Sequence, residues 1–148
     1  MDFFEVGDKT SLICVEPDIS DAVRATIREL GFKFHAVDTS DHAIERSRYN
    51  AYDIIVLQEN FAGSSLKTNQ LLNYFSPLPM AQRRYSMLVL IGADFKTLDA
   101  MQAFGQSVQL VMNIGDLPNF TAILRKSWSE FESMYKVYKD VFAALGEK

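Results

Sequence analysis

The 148-residue chain contains one cysteine, Cys14, and two histidines, His35 and His42. A lone cysteine excludes an intramolecular disulfide framework and a cysteine-rich zinc site, and a reducing compartment is its simplest setting. Two histidines are too few for most metal or triad chemistry. An excess of positive charge is missing as well: Lys+Arg 15 stand against Asp+Glu 19, a net charge of -4, with no basic stripe along the chain. That balance argues against nucleic acid or an anionic membrane surface as the main partner. No apolar stretch approaches the ~18 residues of a membrane span. The opening MDFFEVGDKT, with acids ahead of its first lysine, does not read as a signal peptide. What is present is an ordinary globular composition, 48% hydrophobic and 23% charged, at a length suited to a single domain over residues 1–148. The expectation is an acidic, cytoplasmic, single-domain protein.

Short apolar runs alternate with helical patterns along the chain. Ser11 to Val15 (SLICV) is a strand buried on both faces, and Asp18 is the expected cap of a helix whose apolar positions are Ile19, Ala22, Val23, Ile27 and Leu30, ending at Gly31. Phe32 to Val37 reads as a second strand. Thr39 or Ser40 then caps a helix from Asp41 to about Arg48. Tyr52 to Leu57 (YDIIVL) is the third strand, followed by a loop from Gln58 to Ser64, a helix near Leu66 to Phe75 and a loop, SPLPMAQRR, from Ser76 to Arg84. Met87 to Ile91 (MLVLI) is the fourth strand, Thr97 to Phe104 a helix, and Val108 to Met112 (VQLVM) the fifth strand. After a turn over Asn113 to Leu117, with Asp116 as cap and Pro118 near the start, a last helix runs to about Leu145. This (βα)5 pattern predicts an α/β fold: a doubly wound, five-stranded parallel sheet with right-handed crossovers and helices on both faces.

Two families dominate among such folds, flavodoxins and the receiver domains of two-component signalling. A flavodoxin holds phosphate in a small-residue loop after the first strand; here that loop reads EPDIS, acidic and without glycine. The segments LICVEPD, YDIIVLQENFAG, MLVLIGA and AFGQSVQLVMN resemble, in order and spacing, the first, third, fourth and fifth strands of response-regulator receiver domains. The resemblance covers roughly residues 10 to 130 and implies the strand order 2-1-3-4-5. It also implies where the family's chemistry falls. The phosphoacceptor aspartate falls on Gln58, and an amide is too weak a nucleophile to form an acyl phosphate. The Mg2+-holding acid pair falls on Glu16 and Pro17, with Asp18 adjacent. The strand-four hydroxyl falls on Gly92, the lysine on Met112 or Asn113, and the aromatic switch residue on Gln109. Phosphoryl transfer depends on positioned charge, so the chain resembles a degenerate receiver, a pseudo-receiver, that keeps the scaffold and not the reaction.

Other titratable groups read more plainly. Glu59 neighbours the acceptor position, but one step along a strand turns a side chain to the opposite face. Asp53 begins the third strand at the wrong end and reads as a surface residue. Cys14 reads as a small apolar filler. His35 and His42 are expected to be half-exposed, and Arg83 and Arg84 to lie in a solvated loop.

The last helix is the largest departure from the receiver pattern. From Pro118 to Leu145 it spans about 42 Å at ~1.5 Å per residue, more than a sheet of strands ~17 to 20 Å long needs. Leu124, Trp128, Phe131, Tyr135, Tyr138, Phe142 and Leu145 recur at alternating steps of four and three, a heptad seam filled mostly with aromatics. Through Phe131 the seam is expected to pack on the protein's own sheet, and beyond it to project and meet a partner. Mixed charge on this helix suits protein rather than membrane. The sequence therefore predicts a non-enzymatic receiver-like signalling module that acts by protein contacts. The expected assembly is a homodimer through Trp128, Phe131, Tyr135, Tyr138, Phe142 and Leu145, without cofactor, nucleic acid or membrane. The alternative is a small-ligand or metal sensor in the crevice of Glu16, Asp18, Gln58, Glu59, Gly92 and Asn113, with Glu16 and Asp18 as its metal ligands.

Overall fold

The computed structural model describes residues 8–49, 52–61, 86–93, 95–99, 101, 103 and 108–144, with backbone alone for Tyr49, Tyr135 and 138–144. The expected helix near Leu66 to Phe75, the loop with Arg83 and Arg84, and Leu145 lie outside the described residues. The strands are β1 (Thr10–Cys14), β2 (Lys33–Ala36), β3 (Ile54–Gln58), β4 (Met87–Gly92) and β5 (Leu110–Asn113). All pair in parallel in the order β2-β1-β3-β4-β5, which is the doubly wound arrangement expected.

β1, β3 and β4 are buried along their whole length, because helices cover both faces and each strand lies between two others. Alternation divides their side chains between two cores. Leu12, Cys14, Ile55, Leu57, Leu88, Leu90 and Val111 face the side on which Ala43 of α2 (Ser40–Tyr49) packs. Ile13, Val56, Val89, Ile91 and Met112 face α1 (Pro17–Glu29) and α3 (Phe120–Ala144), whose Val23, Ile27, Phe120 and Leu124 are fully buried. The two helices also meet through their threonines, with 2.9 Å between the hydroxyls of Thr26 and Thr121.

Several boundaries differ from the sequence reading, each for a local reason. Asp18 does not cap α1. The helix begins at Pro17, whose fixed φ suits the first helical position, and Glu16 is the cap residue without a side-chain cap bond. Asp18 is exposed in the first turn, where its charge complements the helix dipole. Gly31 ends α1 at φ +85°, as its position predicted. Thr39 caps α2, its hydroxyl accepting the His42 N–H at 3.1 Å. Gln58 is the last residue of β3 rather than the start of a loop. Thr97 to Asp99 form a turn, not a helix; the described helical residues there are Met101 and Ala103. Residues Ile114–Asn119 form a 3-10 helix capped by Asn113, whose Oδ1 accepts the Gly115 N–H at 2.8 Å. α3 therefore starts at Phe120, and Asp116 is not its cap.

At the opposite edge of the sheet, Asp53 is half-buried rather than on the surface, and its carboxylate accepts the Thr10 N–H at 2.8 Å. Burial, with a smaller contribution from Glu132, raises its pKa above the ordinary aspartate value against the lowering effect of Thr10 and Lys9. A raised folded pKa means the native state holds its proton to higher pH than the unfolded chain, so this group's contribution to stability is lost as pH rises through the folded pKa. Asp53→Asn keeps the acceptor and removes the charge. Its melting temperature relative to wild type is expected to be higher at pH 7 than at pH 4; an equal difference at both pH values refutes the assignment.

Candidate functional site

The carboxyl ends of β1, β3, β4 and β5 bring Glu16, Gln58, Glu59, Gly92 and Asn113 to one edge of the sheet, where doubly wound folds place their ligands. Gln58, which the resemblance sets at the acceptor position, is 2% exposed, and its Oε1 accepts the Glu16 N–H at 2.7 Å. The amide thus ties the end of β3 to the entrance of α1. Glu59 lies one residue past the strand, in a turn, so strand alternation does not set its direction. Its carboxylate rests against Gly92: a Cβ at position 92 would stand 2.6 Å from Glu59 Cδ and 2.8 Å from the Phe95 ring. The missing side chain at 92 and the acid at 59 fill the same space. The expectation that Glu59 faces away from the site is corrected accordingly.

The two residues expected at the lysine position, Met112 and Asn113, differ in burial. Met112 is fully buried in the core facing α1 and α3, whereas Asn113 pairs with Gly92 at the rim. Asn113 Nδ2 donates to the carbonyls of Phe95 at 2.8 Å and Ala93 at 3.1 Å, and its backbone N–H donates to Thr97 Oγ1 at 2.9 Å. The Thr97 hydroxyl in turn donates to Asp116. Thr97 and Asp116, expected as a helix start and a cap, instead pin the segment after β4 onto β5; residues 19 apart in sequence gave no local signal of that pairing. Gln109, the expected switch position, is exposed ahead of β5, and its Oε1 accepts the Leu88 N–H at 2.7 Å. That places it at the far end of the sheet from Gln58.

The remaining candidates fall outside this cluster. Pro17 and Asp18 are exposed on the first turn of α1. Burial pushes the thiol pKa of Cys14 upward, which keeps it in the unreactive protonated form. His35 is buried, correcting the half-exposed expectation, and its Nδ1 lies 2.7 Å from the Tyr52 hydroxyl; His42 is exposed. On the helix, Trp128 packs edge-on to Phe32 with ring centroids 5.3 Å apart and Phe131 is half-buried against the same core, while Met134 and Val137 are exposed. The side chains of Tyr135, Tyr138 and Phe142 lie outside the described residues.

A receiver pocket implies Mg2+, and the donors present do not fit it. Pro17 supplies no ligand, the Gln58 oxygen is occupied by the Glu16 N–H, and among the described residues no three acids, histidines or cysteines gather to hold a metal ion. A cleft of about 290 Å³ on this edge lies to one side, between α1 and β2, lined by Ser20, Asp21, Arg24 and Asp38 among others.

No family model matches the chain, and no curated protein does. Solved structures define the fold: the chain has the CheY-like five-stranded arrangement seen in response-regulator receiver domains. NtrX from Brucella abortus aligns with TM-score 0.67 at 15% identity over 95% of this chain, which spans only 30% of the NtrX chain. A putative response regulator from Chloroflexus aurantiacus aligns with TM-score 0.64 at 11% identity, covering 82% of this chain and 98% of its own. The receiver domain of a putative Luxo repressor protein from Vibrio parahaemolyticus gives 0.63 at 10% identity, covering 88% and 96%. Among the described residues no helix is long and apolar enough to cross a membrane.

Proposed function

We propose that this chain is a non-enzymatic signalling module on the receiver scaffold that works in the cytoplasm through protein contacts, self-associates through its last helix, and takes no phosphoryl group at the usual position. The observation that carries the reading is Gln58: the residue at the acceptor position is a buried amide committed to the Glu16 N–H. Around it, Gly92 offers no hydroxyl and Asn113 no positive charge, so the groups that stabilise a transferring phosphoryl are replaced by groups that fix the backbone. With that input lost, the signal is carried by assembly or by occupancy of a partner.

Incubation with acetyl phosphate and Mg2+ followed by intact-mass measurement is expected to give no acid-labile adduct of about 80 daltons. An adduct mapped to residues 54–60 overturns the reading. Sedimentation velocity of the full chain over a concentration series is expected to show a monomer–dimer equilibrium.

A further inference from the structure

The cleft between α1 and β2 holds opposite charges that do not pair. Ser20, Asp21 and Arg24 stand on one face of α1, and Asp38 lines the other wall, just past the end of β2. Asp21 precedes Arg24 by three residues, a helical spacing at which an acid and an arginine ordinarily meet. Yet among the described residues no ion pair joins Arg24 to either aspartate. Two contacts hold the guanidinium elsewhere. Its Nε donates to Ser20 Oγ at 3.0 Å, and its carbon lies 6.0 Å from the centre of the Phe34 ring, which Arg28 also overlies at 5.5 Å.

The floor between these charges is apolar and fixed. Ile13, Val15 and Val37 are buried there, and the Val37 N–H donates to the Ile13 carbonyl at 3.1 Å, closing the β1–β2 ladder at this edge. An apolar floor with a few convergent polar groups above it is the form that small-molecule sites take. The charges narrow the ligand. Among the described residues no third acid, histidine or cysteine joins the two aspartates to make a metal site, whereas an ammonium needs only acceptors for its three N–H donors. The two terminal nitrogens of Arg24 remain for a carboxylate, which an arginine takes in a forked, two-bond contact.

We propose that this cleft binds a free aliphatic α-amino acid, with its carboxylate on Arg24, its ammonium between Asp21 and Asp38, and its side chain on the floor of Ile13, Val15 and Val37. A zwitterion meets both signs of charge at once. A simple amine leaves the arginine unmatched, and a simple acid leaves the aspartates so. Charges already separated, on elements already packed, also lower the cost of ordering the site around a ligand. The inference rests neither on the lost phosphoryl site nor on self-association. It does give the domain an input of another kind, because α1 carries three of the binding groups and opens at the Gln58–Glu16 bond.

The test titrates the full chain with L-leucine, L-isoleucine and L-valine, followed by thermal melting and by backbone amide NMR resonances. At about 10 mM at least one of the three is expected to raise the melting temperature, as a ligand of the native state must, and to shift the amides of Ser20, Asp21, Arg24, Val37 and Asp38 most. Arg24→Met and Asp38→Asn are each expected to weaken that binding about tenfold or more, since each leaves one charge of the ligand unmatched. Asp38 is exposed, so Asp38→Asn keeps the fold and reads binding alone. Isocaproate, which is leucine without its ammonium, and isoamylamine, which is leucine without its carboxylate, are expected to bind about tenfold more weakly or worse. No shift with any of the three amino acids overturns the proposal. So does an isocaproate or isoamylamine that binds as tightly as the amino acids, or wild-type affinity in both Arg24→Met and Asp38→Asn.

Discussion

Gln58→Asp is expected to give a less stable chain that still takes no phosphoryl group. Aspartate is one methylene shorter, so the bond from the Glu16 N–H to the side chain is lost and a part-buried donor is stranded, which costs about 1–3 kcal/mol. The new carboxylate also enters a position that is 2% exposed, and burial raises a carboxyl's pKa because the charged form is the one desolvated. The combined loss at pH 7 is expected to be about 2–4 kcal/mol, read from chemical denaturation. Its sign with pH follows from linkage: the raised folded pKa costs nothing below the unfolded value and more as pH climbs through the folded one. The deficit therefore shrinks at pH 4. Gln58→Glu, long enough to accept the same N–H, is expected to lose less than Gln58→Asp at pH 4. Neither variant is expected to form an adduct with acetyl phosphate, since Gly92 and Asn113 still provide no hydroxyl or cation at the phosphoryl oxygens. A Gln58→Asp chain with wild-type stability refutes the structural role assigned to the amide.

The departures that the receiver resemblance implies at this site were legible in the sequence as expectations, because each is assigned by strand order: Gln58 for an acid, Pro17 for an acid, Gly92 for a hydroxyl. The replacements were not. The Gln58–Glu16 bond joins residues 42 apart, and nothing local in either segment announces it. Glu59 was misread because the alternation rule was applied one residue too far. β3 ends at Gln58, and in the turn beyond it the carboxylate folds onto Gly92, where the absence of a Cβ leaves room. At position 92, where the receiver resemblance led to the expectation of a threonine or serine, a side chain would meet that carboxylate.

For the fold, SLICV, YDIIVL and MLVLI were readable as strands because β1, β3 and β4 are covered on both faces, so the apolar signal is continuous. The segment after β4 was not readable. A leucine in the left-handed region has no sequence signature, and the Thr97 hydroxyl is drawn out of a helix by Asn113 and Asp116, partners on another element. Likewise, Asp116 and Pro118 looked like a helix entrance, but the chain first makes a 3-10 helix, since Asn113 caps it from the end of β5.

Phe120→Ala is expected to cost about 3–5 kcal/mol, the largest single loss predicted for the chain. Phe120 is fully buried at the start of α3, in the core it shares with Val23, Ile27 and Leu124, so truncation leaves a cavity there. At roughly 2–4 °C per kcal/mol for a domain of this size, the melting temperature falls by about 6–20 °C. The same helix is expected to respond differently one end to the other. Met134 and Val137 are 75% and 62% exposed, so Met134→Ala with Val137→Ala removes little buried area and is expected to stay within about 0.5 kcal/mol at monomeric dilution. The contrast decides what the distal turns are for. If the double variant loses as much as Phe120→Ala, those turns pack on their own domain and the self-association surface disappears. If it loses nothing as a monomer but weakens the dimer, then apolar side chains that contribute nothing to the isolated fold are held there by contact with another copy.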